Sequence, residues 1–426
     1  MTNEASGPPV IRDQAQPGHS SFPAQPGHSS STVERAGPAS AGDALPAVLW
    51  PLLFGNFVIG SGVMVVPGTL NEISRGLAVP VATAGQLISA GALLMCVGAP
   101  LLASVVAGWD RRLLLSLSML WYALLHLACA LAPSFSWLLL LRVVALVPPA
   151  VFTPQAAASL GLLVPPSQRG RAITFIFLGW SLASVLGMPL AALVGGTFGW
   201  RSAMLMVAAL SVASAAWVWR ALPTGIKPPP LSRADWEATL RSPALMVVVG
   251  VTVLSAAGQF VLFSYMAPYF HQKLGLAPGE LSLYFLCFGA FGLAGNMLMA
   301  RSIDRVGSPR AVMLGLAFMA STMLLFPLGA SLLLAMLVTV PWALGCFSTN
   351  SAQQARLVGL APVLASASVA LNSSAMYAGQ AVGAAAGGWM IARGGMDWLH
   401  WAGLAGLLAA MAASALASRF VRRAAA

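Results

Sequence analysis

Charge is what this sequence lacks. Its 426 residues carry 22 Lys and Arg and 11 Asp and Glu, 8% of the chain, where a soluble protein carries about 25%. With 58% hydrophobic residues, there is more apolar surface than one soluble core can bury. That excludes a soluble multidomain enzyme and a fully disordered chain and leaves a polytopic membrane protein. Cysteine is scarce as well. Cys96, Cys129, Cys287 and Cys346 all fall in apolar stretches, with no CxxC and no pairing pattern. This excludes a disulfide scaffold and points to small buried side chains rather than redox or metal groups. No metal and no cofactor is expected. The net charge of +11 would suggest nucleic acid in a soluble chain. In a membrane protein it is loop charge on one face of the bilayer, so no nucleic-acid partner is expected.

Residues 1–44 are a different polymer from the rest. They are rich in Pro, Gly, Ser, Gln and Ala, and the unit AQPGHSS occurs at Ala15–Ser21 and again at Ala24–Ser30. Nothing there can bury apolar area, so a disordered tail is expected. From residue 45 to 418 the chain reads as twelve apolar runs, each long enough to span a bilayer as a helix. They centre at about residues 57, 94, 122, 150, 184, 211, 257, 291, 320, 344, 378 and 408. The longest connection lies between runs six and seven, at 221–243, and divides the chain into bundles at 45–220 and 244–418. Its Pro-rich first half cannot be helical, whereas DWEATLR suits a short surface helix. A basic tail is expected over 419–426.

Orientation follows from the basic residues. With the N-terminus inside, seventeen Lys and Arg fall on the cytoplasmic side and only Arg75, Arg201, Lys273 and Arg393 outside; Arg142 lies within a span. Both termini are therefore expected in the cytoplasm. The two halves also echo each other at an offset of 196 or 197 residues. Gly98 and Gly295, Gly187 and Gly383, Gly199 and Gly395, and Pro165 and Pro362 form such pairs. A duplicated six-helix unit is the simplest cause.

Ionisable groups at bilayer depth are costly, so those that exist point to function. All 11 acids lie in the tail, the loops or the ends of runs. Arg142 sits about five residues, or roughly 8 Å, inside the fourth run at 1.5 Å per residue, and His126 sits at similar depth in the third. The functional reading is a pair in which the guanidinium keeps the imidazole neutral until a proton arrives. The bland reading is a snorkelling arginine and an unrelated histidine.

Neutral amides carry more information. They occur in runs one (Asn56), two (Gln86), four (Gln155), seven (Gln259), eight (Asn296), ten (Asn350, Gln353, Gln354) and eleven (Asn372, Gln380), and in none of runs three, six, nine and twelve. An amide facing lipid goes unsatisfied, so those four runs are expected outermost. The alternative for any single amide is an interhelical hydrogen bond. In run seven, SYMAPYF supplies Tyr265 and Tyr269, which suit either solute stacking or interfacial anchoring. Runs five and eleven are built on small residues, including Gly187, Gly195, Gly383 and Gly387, with Pro189 adding a bend. No HExxH, GxSxG, paired aspartates or Walker A loop occurs, so an enzyme is not expected.

These residues carry a resemblance. GNFVIGSGVMVVPGTLNEIS, AGQLISAGALLMCVGAPLLASVVAGWDRRLLL, GWSLASVLGMPLAALVGGTFGWR, SYMAPYF, GNMLMARSIDRVG and LNSSAMYAGQAVGAAAGG resemble the twelve-helix drug:proton antiporter group of the major facilitator superfamily. Its arabinose-efflux-permease (AraJ-like), nucleoside and chloramphenicol exporters are nearest, and the likeness covers about residues 45–415. The resemblance implies an all-α polytopic fold of two parallel six-helix repeats. It implies that Asp304, Arg305 and Gly307 form a cytoplasmic gating loop, of which only Arg111 and Arg112 survive in the first half, with Ala107 and Gly108 where Asp and Arg are usual. Arg142 matches the coupling arginine, with Leu146 in place of a glycine, and Gly187, Pro189 and Gly195 match the antiporter signature. Relatives often carry an acid after the GSG of run one, where this chain has Val63.

The expected function is secondary export of small neutral or amphipathic solutes of the drug, sugar or nucleoside class. It would act by alternating access across the inner membrane, coupled to protons, as a monomer. Asn56, Gln155, Gln259, Tyr265 and Asn350 are expected to bind solute. Arg142 and His126 are expected to couple protons. Arg111, Arg112, Asp304, Arg305, Gly187, Pro189, Gly383 and Gly387 are expected to gate, the glycines as closing faces. An uptake permease or uniporter, and a ligand sensor without flux, remain alternatives.

Overall fold

In hydrocarbon a backbone must satisfy its own polar groups, which leaves helices or closed barrels. A computed structural model describes residues 46–106, 108–165, 168–228 and 233–425, and among them there are helices and no strands. The expected tail 1–44 lies outside the described residues, as does Ala107. Eleven segments are long and apolar enough to cross a membrane. They are α1 (Leu49–Gly68), α2 (Val81–Leu102), α3 (Arg111–Ala130), α4 (Phe135–Leu163), α5 (Arg171–Phe198), α6 (Trp200–Ala221), α7 (Pro243–Leu274), α8 (Pro278–Val306), α9 (Ser308–Leu328), α10 (Leu332–Leu360) and α12 (Met396–Phe420). Between the last two lies α11 (Ala365–Ile391), 27 residues long. Its length spans a bilayer, but its Ser, Asn, Gln and Gly make it the least apolar of the twelve, as suits a helix that faces protein.

Most of the expected basic tail is helical. The last helix runs on through Ala425, because SRFVRRAA contains neither Gly nor Pro and is rich in good helix formers. In the central connection, Arg233–Arg241 forms the expected short helix.

Proline places the breaks in these helices. In α4 the regular helix stops at Ala145 and restarts at Val147 ahead of Pro148 and Pro149. In α5 a π-helical turn, Ala183–Gly187, precedes Pro189. In α7 the helix ends at Phe263 and resumes at Met266, just before Pro268. Each proline removes a donor and crowds the preceding turn.

Within the first half, α1 packs along α5 and α6, and α3 along α6; within the second, α7 packs along α11 and α12, and α9 along α10 and α12. The halves meet along two seams, α2 with α11 and α5 with α8, which the repeat relates. Stripes of exposed apolar side chains at helical spacing mark the outer helices: Leu113, Leu117, Leu120 and Leu124 on α3, and Leu314, Phe318 and Leu325 on α9. This is the pattern expected for amide-free helices against lipid.

The glycines expected as closing faces pack elsewhere. A Cβ on Gly187 would lie 2.8 Å from Ser61 Cβ of α1, and one on Gly383 would lie 2.5 Å from the Ala257 carbonyl oxygen of α7. A Cβ on Gly387 would meet Val261 O at 2.5 Å. All three contacts are inside one half, so these glycines bring α5 onto α1 and α11 onto α7. The reason is geometric: α1 and α7 are the inner helices of their halves, and only a glycine face lets a neighbour reach their backbone. Gly383→Leu is expected to lower the unfolding free energy by roughly 1–3 kcal/mol through overpacking, seen as a lower melting temperature in detergent. A melting temperature equal to wild type would place that face outside the packed half.

Candidate functional site

One polar cluster is built where α1 bends. Pro67 lies inside α1 and has no N–H, so the carbonyl four residues earlier, at Val63, loses its helical donor. Arg142 of α4 supplies the replacement: its Nη2 donates to Gly62 O at 2.7 Å and to Val63 O at 3.2 Å. Arg142 Nη1 lies 3.1 Å from His126 Nε2 of α3, and His126 Nδ1 lies 2.9 Å from Tyr122 O. A guanidinium only donates, so Nε2 must accept; a carbonyl only accepts, so Nδ1 must carry the proton. The geometry therefore defines a neutral imidazole in its Nδ1–H form. Tyr122 packs edge-on against the ring at 4.2 Å and donates its hydroxyl to Ile59 O at 3.1 Å. Gly62 has no freedom to be anything larger, since a Cβ there would meet the Tyr122 ring atoms at 2.7–2.8 Å. Arg142 and His126 are buried to 2% and 0% exposure, and the expected pair is a contact.

The amides divide differently from expectation. In the first half Asn56 is consumed in holding helices together. It donates to Leu52 O at 3.1 Å and accepts from Thr153 Oγ1 at 2.7 Å, while Trp180 Nε1 donates to that same hydroxyl at 3.2 Å. Thus α1, α4 and α5 are tied by one short chain. Gln155, two residues after Thr153 on α4, is buried. In the second half Gln259 and Asn350 line a small cavity of about 20 Å³ together with Thr252, Ser255, Thr349 and Gln353, room for about one small polar group. Beside it runs a relay: Gln353 Nε2 donates to Thr252 Oγ1 (3.1 Å), Thr252 to Asn372 Oδ1 (2.6 Å), and Asn372 Nδ2 to Asn350 Oδ1 (3.2 Å).

Tyr265 does not belong to that cavity. The break in α7 turns it toward the seam, where its hydroxyl donates to Ala384 O at 2.7 Å and a Cβ on Gly85 of α2 would lie 2.6 Å from its ring. It is part of a closure at one end of the molecule. There Arg75 pairs with His271 across the halves, Ser282 of α8 donates to Pro189 O of α5 at 3.0 Å, and Gly196 faces Pro278. Burial lifts the Glu72 carboxyl above its usual range beside this closure, against the opposing pull of its backbone hydrogen bond, Arg75 and His271. Farther in, a Cβ on Gly289 of α8 would lie 2.4 Å from Ser184 O of α5.

At the opposite end Arg111 and Arg112 contact the first half and the central connection. Arg111 Nη1 donates to Trp109 O at 2.8 Å and to Val106 O at 3.2 Å, and its backbone N–H donates to Ile226 O in the central connection at 3.0 Å. The Arg112 guanidinium lies 4.5 Å over the Trp219 ring. Asp304 and Arg305 are exposed. Two cross-half hydrogen bonds, Arg75 with His271 and Ser282 with Pro189 O, lie at the Arg75 end.

Comparison with known proteins settles the family. A profile described as the Major Facilitator Superfamily matches residues 52–370 and 248–425. The chain belongs to that superfamily. It is 30% identical over 348 residues to the inner membrane transport protein YdhP of Escherichia coli K12, covering 81% of this chain and 89% of that one. It is 33% identical over 267 residues to a chloramphenicol resistance protein of Streptomyces lividans, covering 61% and 68%. A bacterial homologue of the lysosomal transporter Spinster shares the fold at a TM-score of 0.70 and 19% identity, covering 88% of this chain and 94% of that one. The protein is thus a multi-pass membrane transporter with efflux proteins among its relatives.

Sequence reasoning missed the relay and the seam. The repeat offset held the clue to the first, because it maps Asn56 onto Thr252 and Thr153 onto Asn350, the same pair of side chains with their places exchanged. The seam predicts an outcome. Gly289→Val drives a side chain into the α5 backbone, which cannot give way, so it should part α5 from α8 in this state. In a background without native cysteines, Ser282→Cys should then label several-fold faster with a maleimide than it does with Gly289 intact. Equal labelling would show that this contact does not hold the seam.

Proposed function

We propose that the protein exports small uncharged or amphipathic solutes across the inner membrane by alternating access, in exchange for protons. The observation that carries the reading is the buried cluster at the α1 bend. It is an arginine with no carboxylate, held by two carbonyls and a neutral histidine. A proton arriving at His126 Nε2 would replace an accepted hydrogen bond by repulsion between two cations. Arg142 would then leave the carbonyls of α1, and the bend those carbonyls share with Pro67 would be free to change. His126 faces Arg142 from α4 and Tyr122 from its own helix; Cys129 lies near enough to Arg142 and Tyr122, and Tyr377 near enough to Tyr122, to interact with them.

The basic-residue count supports cytoplasmic termini, which makes the closed Arg75 end periplasmic and this state inward-facing. The exposed Asp304 and Arg305 fit a latch undone in that state. An interior without carboxylates disfavours cations, and chloramphenicol, named for one relative, is uncharged. The measured test is flux in proteoliposomes. At one-to-one exchange, a gradient of one pH unit should drive about tenfold accumulation of a transported solute. Arg142→Ala and His126→Gln should abolish that response while leaving solute counterflow. Wild-type flux indifferent to the gradient would make the protein a facilitator. Selective movement of cationic dyes would sink the substrate class.

A further inference from the structure

The relay in the second half has a direction. Gln353, on α10 and 1% exposed, donates one amide hydrogen to Val248 O at 3.0 Å and the other to Thr252 Oγ1 at 3.1 Å. Val248 O can only accept, so Nε2 and Oε1 of Gln353 cannot be exchanged. Thr252 has a single hydrogen, which it gives to Asn372 Oδ1, and Asn372 passes a donor on to Asn350 Oδ1. Every hydrogen in the chain therefore points the same way. At its head, Gln353 Oε1 is buried and has no hydrogen-bond partner. At its tail, Asn350 has used its oxygen and keeps the two hydrogens of Nδ2. Both residues line the same cavity, and none of the residues lining it is charged.

We propose that Gln353 Oε1 is the acceptor that selects uncharged solutes bearing a hydroxyl or N–H donor, while Asn350 Nδ2 donates to an adjacent oxygen of the same solute. The proposal rests on the export reading above and names the chemistry of its substrate: an alcohol or secondary amide with a neighbouring oxygen. A buried acceptor is penalised until a donor meets it, and the fixed relay prevents Gln353 from turning to find another. An ester or ether of the same skeleton brings no donor and leaves that penalty in place, which is how a polar pocket rejects a near-isostere. The cavity admits one such group and no more. It acts as a specificity corner beside the path between the halves, and the rest of the solute lies outside it. Gln259 of α7, buried and making no hydrogen bond of its own, lines the same cavity and is placed to adapt to that remainder.

The test uses the full chain in lipid nanodiscs and two matched pairs of uncharged probes that lose every donor on acetylation: methyl β-D-glucopyranoside with its tetraacetate, and methyl β-D-xylopyranoside with its triacetate. Equilibrium binding and liposome flux are measured for each. The wild type should favour at least one free alcohol over its ester by about tenfold or more. Gln353→Met keeps the volume and removes the acceptor, so it should bind alcohol and ester within about twofold of each other. Asn350→Ala leaves Gln353 anchored by Val248 and Thr252; it should weaken both members of a pair and keep the preference. Thermal melting of each variant establishes that it is folded. Esters bound as tightly as alcohols by the wild type, or equal weakening of both by Gln353→Met, would overturn the assignment of Gln353 and leave export standing. If no uncharged probe binds or moves while cations do, the export reading and its substrate class fall with it.

Discussion

A guanidinium buried at 2% exposure with no carboxylate in reach is the constraint around which the first half is arranged. Its charge must be met by neutral acceptors, and a helical carbonyl accepts most freely where something removes its own helical donor. Pro67 does so at Val63. Gly62 O accepts a hydrogen bond from the same guanidinium, and Gly62 itself is required because Tyr122 lies across it. The same guanidinium then dictates the protonation of His126. Four residues from three helices and one missing N–H are thus a single device, and changing any of them changes what Arg142 can hold.

The second half shows the same economy with uncharged groups. Its polar interior is linked by a one-way chain of amides and a hydroxyl that leaves one acceptor open, rather than by ion pairs, which would cost more to desolvate. Arg356 is the parallel to Arg142 in this half: buried, and bound to Ser414 Oγ at 3.1 Å, Ser414 O at 3.3 Å and Ser418 Oγ at 3.0 Å. It ties α10 to α12 through hydroxyls and a carbonyl. An interior without carboxylates offers a cation no counter-charge in either half.

Glycine sets how closely the parts approach. Inside each half it brings α5 to α1 and α11 to α7, in contacts that involve backbone. Between the halves it appears on α2, α5 and α8, at Gly85, Gly196 and Gly289. There the opposing surfaces are a tyrosine ring, a proline and a carbonyl. Such surfaces can separate without leaving a buried donor stranded, as a seam that opens and closes requires.

Composition alone determined that this is a membrane protein of helices. So few charges and so many apolar residues admit no other solution, and the twelve runs are legible because each must cross the same thickness of hydrocarbon. The pairing of Arg142 with His126 was legible too, since both lie at one depth on neighbouring helices. What the sequence could not decide was rotation. Asn56 and Asn350 look alike as amides in inner helices, yet one is used up bridging to Thr153 and the other faces a cavity. Gly187 and Gly289 look alike as small residues, yet one faces its own half and the other the opposite half. Tyr265 reads as a solute contact until the break in α7 turns it onto Gly85. A helix face is assigned only by what packs against it, and that is a property of the tertiary structure.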